Sequence, residues 1–188
     1  MNNKTESLKE KLKQALSSTA RVISDDLSIK PRKNIKNSEK QDLVELENLN
    51  SKIDFVKARA ETDSKALKKK FSNESIFKKN LPSSLSCKSL YTITEKIRYE
   101  KLGSQMLKGV DKNLRDNYIQ MINNKRKDQI KSKDDVPVVE AFELYMLKNF
   151  HNIKLNSLTS KMLNFWEKDF DKSIFEHIEF FKQNLEDQ

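Results

Sequence analysis

Two glycines, three prolines and one cysteine are all this 188-residue chain holds of the residues that shape tight turns and cross-links. A turn-rich β fold needs glycine and proline at its corners, so their scarcity argues against one. The single cysteine, Cys87, excludes an internal disulfide, and a cytoplasmic location is the expectation for such a chain. No run of about 18 apolar residues occurs, so the sequence implies no membrane helix. Met1 to Ser7 lacks the apolar core of a signal peptide. Two isolated glycines cannot make a phosphate-cradling loop, so neither ATP binding nor ATP hydrolysis is expected. The two histidines, His151 and His177, lie in different segments. With Cys87 they would reach three metal ligands only through a long-range coincidence.

Arginine is scarce as well. Six arginines stand against 31 lysines in a chain of net charge +9. Dedicated phosphate sites favour arginine because its planar fork binds bidentately. Here the positive excess is scattered among 28 acidic residues rather than gathered on one stripe. A solvated, lysine-rich surface is therefore favoured, with a basic helical nucleic-acid-binding protein as the alternative.

What the chain has instead is helical periodicity. With 36% hydrophobic and 35% charged residues it is lean in apolar content, yet compatible with a single all-α domain over 1–188. Leu8, Leu12, Ala15, Leu16, Ala20 and Ile23 fall on one face of a helix over about 5–24, with Thr5 as its N-cap. Residues 26–37 around Pro31 read as a loop, in which Leu27-Ser-Ile29 is one short extended piece. Over about 38–71, Leu46, Leu49, Ile53, Val56 and Ala60 alternate by three and four, and Leu67 and Phe71 continue the stripe. That stripe also permits a third reading, a helical scaffold that self-associates. Over about 72–88 a short helix is followed by the break Asn80-Leu-Pro-Ser-Ser84, and Ser83 or Ser84 caps a helix over about 86–123. Leu102, Met106, Val110 and Leu114 run straight through Gly103 and Gly109, although glycine inside a helix costs about 1 kcal/mol relative to alanine. An interruption near Gly109 is the expected outcome.

After a charged connector over 123–135, Asp134 or Asp135 caps a helix with Pro137 in its first turn. Its buried face is Val139, Phe142, Tyr145 and Met146. Leu163, Trp166, Phe170, Ile174, Ile178, Phe181 and Leu185 form the stripe of a last helix over about 157–185, with Trp166 as a core anchor. The expectation is an all-α, single-domain bundle of five to six helices, with one short extended segment near residues 26–34.

Charged residues on these helices narrow the chemistry. Asp63 falls on the buried stripe and must be paired; Arg59, four residues earlier, can meet it on one face. Glu95 and Arg98 are three apart and can pair likewise. Glu100 lies on another face, open to solvent or a partner. Glu167 and Asp169 point to different faces and are no carboxylate pair for acid–base work. No catalytic constellation emerges.

Four segments, in order, resemble the N-terminal domain of the aerobic cobaltochelatase T subunit. Leu12-Lys-Gln-Ala-Leu-Ser-Ser-Thr-Ala-Arg-Val-Ile-Ser24 is similar to its first helix. Arg59-Ala-Glu-Thr-Asp-Ser-Lys-Ala-Leu-Lys-Lys-Lys-Phe71 is similar to its Arg-Gly-x-x-Asp-x-x-Ala-Leu run. Glu95 to Leu114 is similar to its Glu-x-x-Arg-x-Glu-x-Leu-Gly helix. Asp135-Val-Pro-Val-Val-Glu-Ala-Phe-Glu-Leu144 and Asn164-Phe-Trp-Glu-Lys-Asp169 resemble its closing helices. There are departures: the family's histidines after the Ala-Leu run are replaced by Phe71, Ser72 and Phe77, and Asn73 stands where the family has an aspartate. Ala60 stands where the family has a glycine. The von Willebrand type A domain that follows in the family, with its Asp-x-Ser-x-Ser metal site, is not in this sequence.

The resemblance implies a non-catalytic interaction domain within a three-protein complex. In that complex a large subunit holds the corrin and the cobalt. An AAA+ ATPase subunit hydrolyses ATP with magnesium, and the T subunit transmits the motion. It implies no cofactor or metal held by this chain, no membrane, and partner contacts through Arg59, Asp63, Arg98 and Glu100.

Overall fold

A computed structural model describes residues 2–28, 52–125 and 130–188. Among them every regular element is helical, and there is no strand. The expected stripe positions Leu46 and Leu49, and all but the start of the expected extended segment, lie outside the described residues. The chain divides into two compact units, Met1–Lys70 and Phe71–Gln188, taken here in turn.

In the first unit, α1 (Asn2–Ser24) and α2 (Lys52–Phe71) lie side by side. Leu16 and Ala58 are buried in one cluster, with Leu12 and Phe55 packed against it. Further along both helices, Lys70 Nζ meets Asp25 Oδ2 at 2.5 Å, and Lys69 binds Asp26. Both sets of contacts advance together along both helices, so α1 and α2 run parallel. Asp25 ends α1 in the left-handed region, at φ 55°. Asp26 receives the Lys69 ammonium and the Ser28 N–H, at 2.8 Å for the latter. Those hydrogen bonds hold its carboxyl well below the usual carboxylate range, Lys69 contributing most.

The second unit is built around α6 (Val138–His151). Leu144, Tyr145, Met146 and Leu147 are all buried although they point in four successive directions. A helix apolar on every side belongs in the middle. It packs against α4 (Leu85–Met106), α7 (Ser157–Asn164) and α8 (Glu167–Gln183). Phe142 meets Phe170 edge-on at 5.7 Å between ring centroids, and Phe150 meets Phe181 likewise at 5.1 Å. Each such side chain stabilises by about 1.5–3 kcal/mol through burial. A short helix, α3 (Glu74–Lys79), precedes α4, and α5 (Lys108–Asn123) follows it. No described helix is long and apolar enough to cross a membrane.

Eight α-helices among the described residues exceed the five to six expected, for local reasons. Asn73 caps α3 by accepting from the N–H groups of Ser75 and Ile76. Ser84, rather than Ser83, caps α4 through the Cys87 N–H. The break before α5 falls at Leu107, two residues ahead of Gly109. It re-phases the stripe: Leu102, Val110 and Leu114 are buried, while Met106 is 57% exposed. The expected last helix is cut at Phe165–Trp166. There the Trp166 indole N–H donates to the Val136 carbonyl at 3.0 Å, and the ring stacks on Phe170. Trp166 is thus an anchor, half-buried rather than fully so. Asp135 does not cap α6. Its carboxylate accepts from the N–H groups of Lys131 and Ser132 and caps a 3-10 turn, Lys133–Asp135, leaving Pro137 as the α6 N-cap.

Candidate functional site

The second half of α4 buries what the sequence shows as charge. Glu95, Arg98 and Glu100 all have at most 6% of their surface exposed. A charge taken out of water must find partners or it unfolds the site. Arg98 finds four acceptor contacts. Its Nε donates to Glu95 Oε2 at 2.8 Å and its Nη2 to Glu95 Oε1 at 2.9 Å. The same Nη2 reaches the Phe71 carbonyl at 2.5 Å, and Nη1 reaches the Leu185 carbonyl at 2.8 Å. A planar fork with fixed donors suits this task, and a lysine could not fill it.

Glu95 is used just as fully. Besides Arg98 it accepts from Ser72 Oγ at 2.5 Å and from Gln188 Nε2 at 3.0 Å. The Gln188 carboxamide also grips the Asn73 backbone, taking its N–H at 2.5 Å and donating to its carbonyl at 3.2 Å. The expected Glu95–Arg98 pairing is present, and it is the centre of a network joining Phe71–Asn73, α4 and Leu185–Gln188.

Glu100, expected at the surface, is 1% exposed. It accepts the phenol hydrogen of Tyr118, on α5. Burial, and then the adjacent Glu100 charge, hold the Tyr118 phenol well above its usual range. A phenol that keeps its proton remains a donor to the carboxylate. Lys96 Nζ lies over the Tyr118 ring at 5.1 Å, and the His151 ring lies 5.8 Å away, centroid to centroid. His151 is 1% exposed, and its Nε2 has no hydrogen-bond partner among the described residues. Burial pulls its pKa down to about 4, with the Lys101 charge adding to the effect, so the ring is neutral near pH 7.

In the first unit, Asp63 is 1% exposed and Arg59 is exposed, so these two helix neighbours sit in different surroundings. Of the four residues expected to contact partners, only Arg59 presents its side chain to solvent. Cys87 and His177 are exposed too. Among the described residues no three His, Cys, Asp or Glu side chains are placed to hold a metal ion.

The buried network offers hydrogen bonds to its own members and no open position for a reacting atom. Its chemistry is cohesion. Sequence reasoning missed Tyr118, although the stripe of Val110 and Leu114 reaches it one turn on. It left His151 open between solvent and core, and it missed Gln188 as a clamp, which no spacing rule connects to Asn73.

Several lysines of the described residues are paired with carboxylates. Lys112 pairs with Asp116 at 2.5 Å, Lys148 with Glu167 at 2.6 Å and Lys125 with Glu140 at 2.9 Å. Nothing in this arrangement supports a nucleic-acid face. Compared with known proteins, the chain matches the family model described as cobalamin biosynthesis protein CobT, over residues 6–188. No curated protein and no solved structure matches it.

Proposed function

This chain belongs to the family of cobalamin biosynthesis protein CobT, and from that membership we propose that it works as a non-catalytic interaction unit of an ATP-dependent cobaltochelatase. The observation that carries the reading is the extent of the match, which takes in essentially the whole chain. The burial pattern supports it. Of the positions that carry the resemblance, Asp63, Ala66, Leu67, Arg98, Glu100, Leu102 and Gly103 are buried, and Arg59 is exposed. What this chain shares with the family is therefore a frame rather than a set of reacting groups.

In this proposal cobalt is the substrate of the complex, held with the corrin by a large subunit, and magnesium and ATP belong to an AAA+ subunit. This chain passes on the motion of the ATPase through stiff helices. The Arg98 network supplies stiffness, because two hydrogen bonds from its guanidinium tie the Phe71 and Leu185 carbonyls to α4 while two more fix it to Glu95. Arg59, exposed on α2, is the contact residue proposed for docking.

Light scattering after size exclusion tests this, with the chain alone and mixed with the AAA+ subunit and ATP. Co-elution in a defined ratio is the expected result, weakened by Arg59→Glu. Elution as separate species with both the AAA+ and the large subunit would overturn it. So would ATP turnover by the purified chain.

A further inference from the structure

Between α6 and α7 the chain runs through residues 152–156 without regular structure, pinned at both ends. At one end Asn152 adopts φ 50°, and the Ile153 N–H bonds to the Leu147 carbonyl at 3.3 Å. At the other, the Asn156 N–H bonds to Thr159 Oγ1 at 3.0 Å while its side chain caps α7. Between these pins, the backbone N–H groups of Lys154 and Leu155 make no hydrogen bond among the described residues. Neither do the carbonyls of Ile153, Lys154 and Leu155. Backbone donors and acceptors seek partners wherever water is displaced.

This edge borders a groove of about 340 Å³. Burial alternates along it: Ile153 is 4% exposed, Lys154 is exposed and Leu155 is half-buried. That is the two-residue period of an extended strand. Leu163, 1% exposed, extends the apolar floor from α7. On the rim, Lys148 is paired with Glu167 at 2.6 Å. Lys154 has no acidic partner among the described residues, so the spare charge of the groove is positive.

We propose that this groove takes an extended, acidic segment of a partner protein, which adds to residues 153–155 as a strand adds to a sheet edge. Main-chain hydrogen bonds to the Leu155 N–H and to the Ile153 and Leu155 carbonyls, which share one edge of an extended chain, supply affinity, the apolar floor takes alternate side chains, and Lys154 selects a carboxylate. The pinned ends hold the edge in shape before binding, which lowers the ordering cost. The inference rests on the groove alone and stands apart from the chelatase reading.

The test uses the full chain, isotope-labelled, and two acetylated, amidated heptapeptides: one alternating leucine with aspartate, the other leucine with lysine. The expected result is saturable movement of the Lys154 and Leu155 amide resonances with the aspartate peptide. The lysine peptide should bind about tenfold more weakly or worse. Lys154→Glu, an exposed change that leaves the floor intact, should reverse that preference, and Leu155→Asp should abolish binding of both. Three results would each overturn the proposal. One is no movement at these amides at about 1 mM peptide. Another is equal binding of the two peptides. The third is concentration-dependent movement without any peptide, which would mark the edge as a contact between two copies of this chain.

Discussion

Arg98 and Glu95 close a two-point salt bridge within one turn of α4, with Nε to Oε2 at 2.8 Å and Nη2 to Oε1 at 2.9 Å. Their side chains are 3% and 7% exposed, so water screens the pair little. The desolvation cost of such a pair is offset only if every remaining donor finds an acceptor. Here the Phe71 and Leu185 carbonyls take two more of the five Arg98 N–H groups.

Arg98→Leu should therefore destabilise the second unit by about 3–5 kcal/mol, since it leaves Glu95 charged in a buried place. Arg98→Lys should recover only part, because an ammonium cannot span the Phe71 and Leu185 carbonyls and the carboxylate at once. The double variant Arg98→Leu, Glu95→Leu should lose less than the two single losses added together. Urea unfolding of the natural chain, Arg98→Leu, Glu95→Leu and the double variant gives the coupling, and additive losses would contradict the role of the pair.

Tyr118→Phe removes the donor that Glu100 holds and should cost about 1–3 kcal/mol. Because burial raises the ionisation of both Tyr118 and Tyr145 in the folded protein, an ultraviolet titration of the native chain should also show Tyr118 among the phenols that resist alkali until unfolding. If Tyr118→Phe leaves the number of late-titrating phenols unchanged, the assignment is wrong.

His151 sets a pH dependence whose sign follows from its lowered pKa. Above pH 6.5 the ring is neutral in both folded and unfolded chains. As pH falls from 6.5 toward about 4, the unfolded chain takes up a proton that the folded chain refuses. Stability is lost across that window and the loss is complete below it, up to about 3 kcal/mol in all. The difference in unfolding free energy between the natural chain and His151→Leu, followed from pH 7.5 down to about 5, should carry this slope. Parallel curves would show that His151 charges freely while folded.

Gly109 stands in the first turn of α5, and a methyl group placed there would meet nothing within 4 Å. Its φ lies outside the left-handed region. Gly109→Ala should thus stabilise by up to about 1 kcal/mol, through helix propensity and a less free unfolded chain. A lower melting temperature would mean that this glycine answers a packing demand the structure does not show.

Legibility in the sequence followed distance along the chain. Glu95 and Arg98 stand one turn apart, so helical spacing alone placed them together. Glu100 looked solvent-facing because its partner, Tyr118, is 18 residues on, across the break at Leu107. The cut at Phe165–Trp166 was hidden by apolar residues that keep helical spacing across it. What ends the helix there is a hydrogen bond from Trp166 to Val136, 30 residues back. Gly109 drew the eye to a break that Leu107 makes. Asp63 was legible as a buried charge, because a carboxylate on an apolar stripe has few other fates.

The parallel setting of α1 and α2 has a consequence in chain length. Leu12 and Phe55 pack at the same cluster, as do Leu16 and Ala58, a constant offset along both helices. By that offset the first turn of α2 stands level with a point about 15 residues before the end of α1, or about 23 Å back along its axis. An extended chain covers about 3.3–3.6 Å per residue, so seven or eight residues would bridge the gap. The sequence supplies 27 between Ser24 and Lys52. The reach of the connection therefore does not dictate the parallel setting, which is fixed by the contacts between α1 and α2 themselves.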